Sequence, residues 1–307
     1  MAATSRIPSV GFIGLGVMGE PMAGHLAAAG HRLALFDARE GLAQRIAAAL
    51  EGASAPATPA EVARSSDVVI TMVPNGEVVH ALVTGTDGLL GGLRSGALLI
   101  DTSSSEPWLT RESGRRLAEQ GVAMVDAPVS GAQWGARAAE LVFMVGGEKP
   151  DVERARPLLQ VMGRAVFHLG PLGAGHSMKC LNNLVTAVNL LALSEVLVIG
   201  RRHGLDPTAM VDVLNESTGM SWIAQTHIKQ RVISRTFDDP FKLALMLKDI
   251  GIATELAETA ALPAPLSTLA HQLWRAAARD AAPAASISEV VRWFERFTGT
   301  EIAAASA

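Results

Sequence analysis

No part of the chain constrains it more than Gly11-Phe12-Ile13-Gly14-Leu15-Gly16-Val17-Met18-Gly19. A short β-type run, Ser9 to Ile13, leads into the glycines. A helical pattern follows, with Met22, Leu26 and Ala29 recurring at three- and four-residue spacing. The next apolar run, Arg32–Phe36, ends on Asp37. Strand, glycine turn, helix, strand and acid is the order a dinucleotide site requires. Gly14 permits the tight turn, Gly16 lets the backbone approach a pyrophosphate, and Gly19 lets the helix sit close on the strand. Leu15 and Met18 lie within the same turn, whose N–H groups open the helix toward the phosphates. A carboxylate at Asp37 can accept hydrogen bonds from the adenosine ribose hydroxyls and would repel a 2′-phosphate, so the reading is NAD over NADP.

What the chain lacks narrows the chemistry. With 307 residues it can bury a large core and form two domains, and a net charge of −4 gives no electrostatic footprint for nucleic acid. The single Cys180 excludes a disulfide framework and fits a reducing cytoplasm. The opening Met-Ala-Ala-Thr-Ser-Arg has no feature of a cleavable signal. The most apolar long segment, Leu184–Gly200, carries Asn189, Ser194 and Glu195 and reads as a buried helix, not a membrane span. A soluble cytoplasmic protein is expected. The chain has no tyrosine, so chemistry built on a Tyr–Lys pair is excluded. One cysteine cannot build a four-thiolate zinc site, and no His/Asp/Glu cluster has metal-ligand spacing, so no metal is expected.

The first half alternates strand and helix signals. Strand runs fall at Val10–Ile13, Arg32–Phe36, Asp67–Val73, Ala97–Asp101, Val122–Asp126, Leu141–Val145 and Ala165–His168. Near-continuous apolar strands separated by helical patterns indicate a parallel sheet covered on both faces. The texture changes at Gly170-Pro171-Leu172-Gly173-Ala174-Gly175, which marks the domain boundary. The expected architecture is an α/β, doubly wound Rossmann domain over residues 1–170, a long interdomain helix from His176 to about His203, and an all-helical domain over 171–307. Gly204 reads as the C-cap of that helix, Ser286-Ile287-Ser288-Glu289 as a capping box for a final helix Glu289–Phe297, and Glu301–Ala307 as a frayed tail. A helix apolar on nearly every side implies that a partner subunit covers part of it, so a homodimer or homotetramer is expected.

Three clusters could carry chemistry. Asp126-Ala127-Pro128-Val129-Ser130-Gly131-Ala132 follows the carboxyl end of a strand, the edge where open α/β sheets bind ligands. Its Ser-Gly turn offers a hydroxyl and backbone N–H groups to a carboxylate, and it also reads as an ordinary loop. Lys179 and Asn183 stand four apart on one face of an otherwise apolar helix. A desolvated lysine there has a lowered pKa suited to proton transfer, while the plain reading is a lysine snorkelling to solvent. Cys180 lies about 100° round the helix and reads as packing. The third cluster runs from Phe241 to Asp249, where Phe241, Leu245 and Lys248 would share a helical face.

Together these motifs resemble, in register from about Val10 to Phe297, the β-hydroxyacid dehydrogenases, the group of 3-hydroxyisobutyrate dehydrogenase and tartronate semialdehyde reductase. The resemblance implies hydride transfer between a β-hydroxy acid and NAD, with Lys179 as acid/base. It implies that Ser130, Gly131 and Asn183 hold the substrate carboxylate, with Ala132, Trp222, Phe241 and Asp249 among the substrate-binding residues. It puts Val73, Pro74 and Ser104 along the nicotinamide half of the cofactor and has Lys248 reach the cofactor from the helical domain. Two departures stand out: Ala132 where the family has a second glycine, and Ala139-Glu140-Leu141 where it has Gly-Thr-Leu. With Gln133 and Trp134 nearby, these point to a substrate other than 3-hydroxyisobutyrate, one more polar. An NADPH-dependent semialdehyde or glyoxylate reductase shares every motif except Asp37. A non-catalytic NAD-binding protein is disfavoured by the Lys179–Asn183 pair. Imine reductases usually replace that lysine, and a methyltransferase would not explain the helical second domain.

Overall fold

The computed structural model describes residues 8–304, so the opening hexapeptide and Ala305–Ala307 lie outside the described residues. Contacts within the chain gather into two compact units, the first ending at Lys179 and the second beginning at Cys180.

In the first unit strands and helices alternate: β1 (Val10–Ile13), α1 (Gly19–Ala28), β2 (Leu33–Phe36), α2 (Leu42–Ala49), β3 (Ala53–Ser54), α3 (Pro59–Arg64), β4 (Val68–Thr71), α4 (Gly76–Thr84), β5 (Leu98–Asp101), α5 (Pro107–Ala118) and β6 (Ala123–Asp126). Then follow β7 (Val129–Ser130), α6 (Ala132–Ala138), β8 (Leu141–Gly146), α7 (Lys149–Met162), β9 (Gly163–Gly170) and the start of α8 (Ala174–Arg202). The sheet order is β3-β2-β1-β4-β5-β6-β8-β7, with β9 beside β8. The chain moves outward from β1 through β2 to β3, then returns to place β4 on the other side of β1. That reversal opens a crevice at the carboxyl ends of β1 and β4, where doubly wound sheets take their ligands.

Burial follows the two-residue period of a sheet covered on both faces. Val10, Phe12, Leu33, Leu35, Ile70 and Ile100 feed one buried cluster, while Ile13, Ala34, Val69 and Leu99 feed another. The strands expected from the sequence all form, with β2, β4, β5 and β6 one to three residues shorter than expected and β8 and β9 longer. The expectation of an all-parallel sheet needs a correction past β6. The neighbouring β8 runs antiparallel to it, meeting at Asp126 and Gly146, and β7 pairs antiparallel with β8. Ser130 therefore sits on the short outer strand β7, from which α6 leads back to β8 between β6 and β7.

Two strand-end carboxylates, Asp126 and Asp101, organise this part of the sheet edge. Asp126, wholly buried, caps the turn that opens α8: Gly173 N–H donates to its Oδ1 and His176 N–H to its Oδ2, each at 2.7 Å. Gly146 and Gly175 leave room for this clamp, since a Cβ on Gly146 would stand 2.4 Å from Asp126 Oδ1 and one on Gly175 would stand 2.9 Å from Asp126 Oδ2. The His176 ring, also buried, lies 2.8 Å from Thr110 Oγ1 and 3.5 Å from Asp101 Oδ2. Asp101 accepts from Thr71 and Ser105 hydroxyls and from Ser103 N–H. This network ties the first turn of α8 to β4, β5 and β6.

The second unit is α-helical after α8: α9 (Pro207–Asn215), a π-helical segment (Ala224–Ile233), α10 (Leu243–Thr259), α11 (Pro265–Arg279) and α12 (Glu289–Thr298). Its core gathers around the fully buried Trp274 with Leu190, Leu197, Ile228, Ile250 and Val290. Gly204 takes a φ of 83° just after α8, the left-handed conformation expected of its cap. By length and composition α8 could cross a membrane, but half of its apolar window is buried within the protein.

Three local expectations fail here. The capping box does not close: Ser286 Oγ donates to Phe237 O instead, and Ser288 at the N-cap makes no side-chain cap bond. Phe241 precedes α10, whose N-cap Lys242 has extended ψ of 141°, so Phe241 does not share a helical face with Leu245 and Lys248. The tail is not frayed at Ile302, which is fully buried and donates its N–H to Glu295 Oε1 at 2.7 Å.

Asp126→Ala would orphan two buried N–H groups, at about 1–3 kcal/mol each. We expect a stability loss of roughly 2–6 kcal/mol by urea unfolding, and a loss below about 0.5 kcal/mol would show that the N–H groups find other acceptors.

Candidate active site

The glycine turn is shaped by its own backbone. Gly14 adopts a φ of 94°, and a Cβ there would meet Met72 O at 2.2 Å. A Cβ on Gly19 would lie 1.9 Å from Gly14 O, so α1 packs on β1 only with glycine at that position. Gly16 differs, because the nearest atom to a Cβ there is Arg39 Nη2 at 3.9 Å. Nothing internal excludes a side chain at Gly16. Open space over a bare backbone at the start of a helix suits a pyrophosphate, and on this test the residues fit a dinucleotide.

Asp37 is joined to this turn, since Leu15 N–H donates to its Oδ2 at 2.7 Å. The Arg39 guanidinium hydrogen bonds hold the Asp37 carboxyl down at about 2 against the opposing effect of burial, and the backbone N–H groups of Arg39 and Leu15 add to them. A group depressed in this way contributes fully above its ordinary range and loses that contribution only as pH falls toward the depressed value. Across the crevice edge Val73 N–H donates to Ser103 Oγ at 3.0 Å. Pro74 is exposed and Ser104 half-buried beside it. The buried hydroxyl that holds the Val73 turn thus belongs to Ser103, one residue before the serine singled out from the sequence.

The candidate carboxylate turn follows β7. Gly131 has a φ of 134° and Ala132 a φ of 51°, so the chain holds an alanine where a glycine would be unstrained. A non-glycine residue in that region costs about 1–2 kcal/mol. Ser130, Ala132 and Gln133 are half-buried, while Trp134 and Glu140 are exposed.

Lys179 follows His176 by three residues on α8 and is buried at 9 % exposure, so it does not snorkel to open solvent. In the second unit Asn183, at 5 % exposure, donates its amide to Asp249 Oδ2 at 2.6 Å. The Lys248 ammonium stands 3.1 Å from Asp249 Oδ1, an ion pair without hydrogen-bond alignment. Asn183, Lys248 and Asp249 are thus brought together. Trp222 is not shown among them: its ring, more than half exposed, lies tilted at 54° against His227, with centroids 4.8 Å apart, at the start of the π-helical segment. Phe241 packs against the second unit's core. Cys180 is buried as packing. Among the described residues no group of His, Cys, Asp or Glu has the arrangement of a metal site.

Asp101, Ser103 and His176 were missed in the sequence. One signal was present: Asp101 and Asp126 end consecutive strands just as Asp37 follows the end of β2, and the register pairs them directly.

Comparisons with known proteins identify the family. The NAD-binding domain family of 6-phosphogluconate dehydrogenase matches residues 9–170, and the NAD-binding family of NADP-dependent 3-hydroxyisobutyrate dehydrogenase matches residues 173–294. The 2-(hydroxymethyl)glutarate dehydrogenase of Eubacterium barkeri is 34 % identical, covering 95 % of this chain and 97 % of that protein. The NAD-dependent L-serine dehydrogenase of Pseudomonas aeruginosa is 36 % identical over 94 % of this chain and 99 % of its own length. Among solved structures, Mycobacterium tuberculosis 3-hydroxyisobutyrate dehydrogenase with L-serine superposes with a TM-score of 0.84 at 35 % identity, covering 94 % of this chain and 99 % of that one. The chain belongs to the β-hydroxyacid dehydrogenase family. It is an oxidoreductase of hydroxy acids, and its cofactor is NAD.

With Asp37 held ionised, NAD affinity should show no Asp37-dependent step between about pH 5 and pH 8. Titrating NAD binding against pH in the parent and in Asp37→Asn checks this. A midpoint in that window that vanishes in the variant would contradict it.

Proposed function

We propose that this enzyme interconverts a β-hydroxy acid more polar than 3-hydroxyisobutyrate with its semialdehyde, using Lys179 as the acid/base. The observation that carries this reading is a lysine buried on an apolar helix whose first turn is clamped to the strand ends by Asp126. NAD, when bound, accepts the hydride. In oxidation neutral Lys179 Nζ takes the proton from the substrate hydroxyl oxygen. In reduction the ammonium returns it and stabilises the developing alkoxide.

Ser130 Oγ and the backbone N–H groups of Gly131 and Ala132 hold the substrate carboxylate in this reading. Asn183, its amide oriented by Asp249, is assigned to the same carboxylate. Trp222, Phe241 and Asp249 shape the pocket. Gly14, Leu15, Gly16, Met18 and Gly19 cradle the pyrophosphate with Asp37 on the ribose, while Val73, Pro74, Ser104 and Lys248 contact the nicotinamide end. The polar preference rests on Gln133, Trp134 and Glu140 beside the carboxylate turn. It is supported by two relatives whose named substrates, 2-(hydroxymethyl)glutarate and L-serine, carry a further ionic group. The cofactor domain ends at residue 170 and the helical domain begins at 171. The protein works in the cytoplasm.

Acid/base catalysis of this kind is worth about 10²–10⁴ in rate, and Lys179→Ala should lose at least about 10² in kcat with NAD affinity unchanged. Near-parental turnover would remove the lysine from the mechanism. A panel of 3-hydroxy acids should give its highest kcat/KM with a substrate bearing a second charged group, and a preference for 3-hydroxyisobutyrate would overturn the polar reading.

The homo-oligomer has its own support. Leu181, Val185, Val196 and Ile199 are exposed on α8 at spacings of four, eleven and three, a single apolar stripe. A seam of that period on one straight helix is self-complementary about a two-fold axis, so its proposed occupant is the same helix of a second copy. Light scattering should give a dimer or tetramer mass that Val185→Asp with Ile199→Asp reduces. A monomeric parent, or an unchanged double variant, would contradict it.

A further inference from the structure

The Asp37 carboxylate has no acceptor position to spare. Its Oδ1 takes Arg39 N–H at 2.9 Å and Arg39 Nε at 2.8 Å, and its Oδ2 takes Leu15 N–H at 2.7 Å and Arg39 Nη2 at 2.9 Å. An ionised carboxylate offers about four lone-pair positions, and these donors fill them. Two come from backbone that β2 and the glycine turn hold in place. The other two come from a side chain 62 % exposed, attached to a residue beyond the strand. The movable pair takes one position on each oxygen, the same demand that the two hydroxyls of a ribose diol would make. Arg39 therefore stands in for the adenosine ribose.

The guanidinium also lies beside the phosphate-binding turn, where a Cβ on Gly16 would stand 3.9 Å from its Nη2. Swung off the carboxylate it would stay near the ribose 2′ position. A ribose diol leaves it unpaired in solvent, whereas a 2′-phosphate gives it a bidentate partner. Its pair with Asp37 is exposed on the Arg39 side, 62 % against 8 % for the carboxylate, so the guanidinium is the partner free to leave.

We propose that Arg39 sets the cofactor choice of this enzyme: closed on Asp37 it competes with the NAD ribose, and released it captures a 2′-phosphate, so that NADP is bound as a second, weaker cofactor. The inference rests on reading the glycine turn as the cofactor site. The Asp37 charge keeps NAD ahead of NADP, and Arg39 narrows the gap.

Calorimetric titration of the full chain with NAD, NADP and 2′,5′-ADP tests this without any turnover. The parent should bind all three, NAD more tightly than NADP. Arg39→Ala should tighten NAD by up to about fivefold, because the competitor removed is a single side chain exposed to solvent. The same change, and the size-conserving Arg39→Gln, should weaken NADP and 2′,5′-ADP by about tenfold or more. Raising salt should weaken NADP in the parent more than in the variants. A parent that binds NAD but not 2′,5′-ADP would overturn the proposal, as would variants that shift NAD and NADP by the same factor. A parent that binds none of the three would overturn the glycine-turn reading itself.

Discussion

The clamp of Asp126 on the two backbone N–H groups at the start of α8 is the contact on which the remaining structure depends. A helix start leaves its first N–H groups unsatisfied, and burying them demands an acceptor. Here the acceptor is a buried carboxylate at a strand end, so the first turn of α8 is held by the sheet and not only by the loop that leads into it. Lys179 leaves the helix one turn later. A lysine on a frayed or mobile first turn could not keep a reproducible orientation, and a displacement of about 1 Å is enough to cost a large factor in rate.

The same device recurs along the sheet edge with different consequences. Asp101 collects hydroxyls and a backbone N–H and orders the β5 loop, where Ser103 in turn holds the Val73 turn. Asp37 collects the glycine-turn N–H and Arg39. Two of these carboxylates are committed to structure, while Asp37 keeps half of its contacts on an exposed, replaceable side chain. In the proposed reading, that difference separates scaffold from binding site at otherwise equivalent strand ends.

Much of this was legible in the sequence because it depends on short-range rules. Gly14, Gly16, Gly19 and Asp37 are read from spacing alone, and the apolar strands from continuous burial on two faces. The two-residue strands β3 and β7 were not legible, since neither is long enough to show a period. The reversal at β8 was hidden because a buried antiparallel strand has the same apolar text as a parallel one. Tertiary partners overrode local signals at Ser286, whose hydroxyl found Phe237 O, and at Ile302, which a carboxylate and the helical core pull inward. The π-helical turn that brings Trp222 onto His227 has no marker in composition.

The account turns on a primary amine at position 179 that moves a proton. Its most direct test is chemical rescue: pre-steady-state NADH formation by Lys179→Ala with saturating NAD and hydroxy acid, measured as small primary amines are added. The rate should rise with the concentration of amine free base and vary with amine basicity. A variant that forms NADH at the parental rate with no added amine would contradict it.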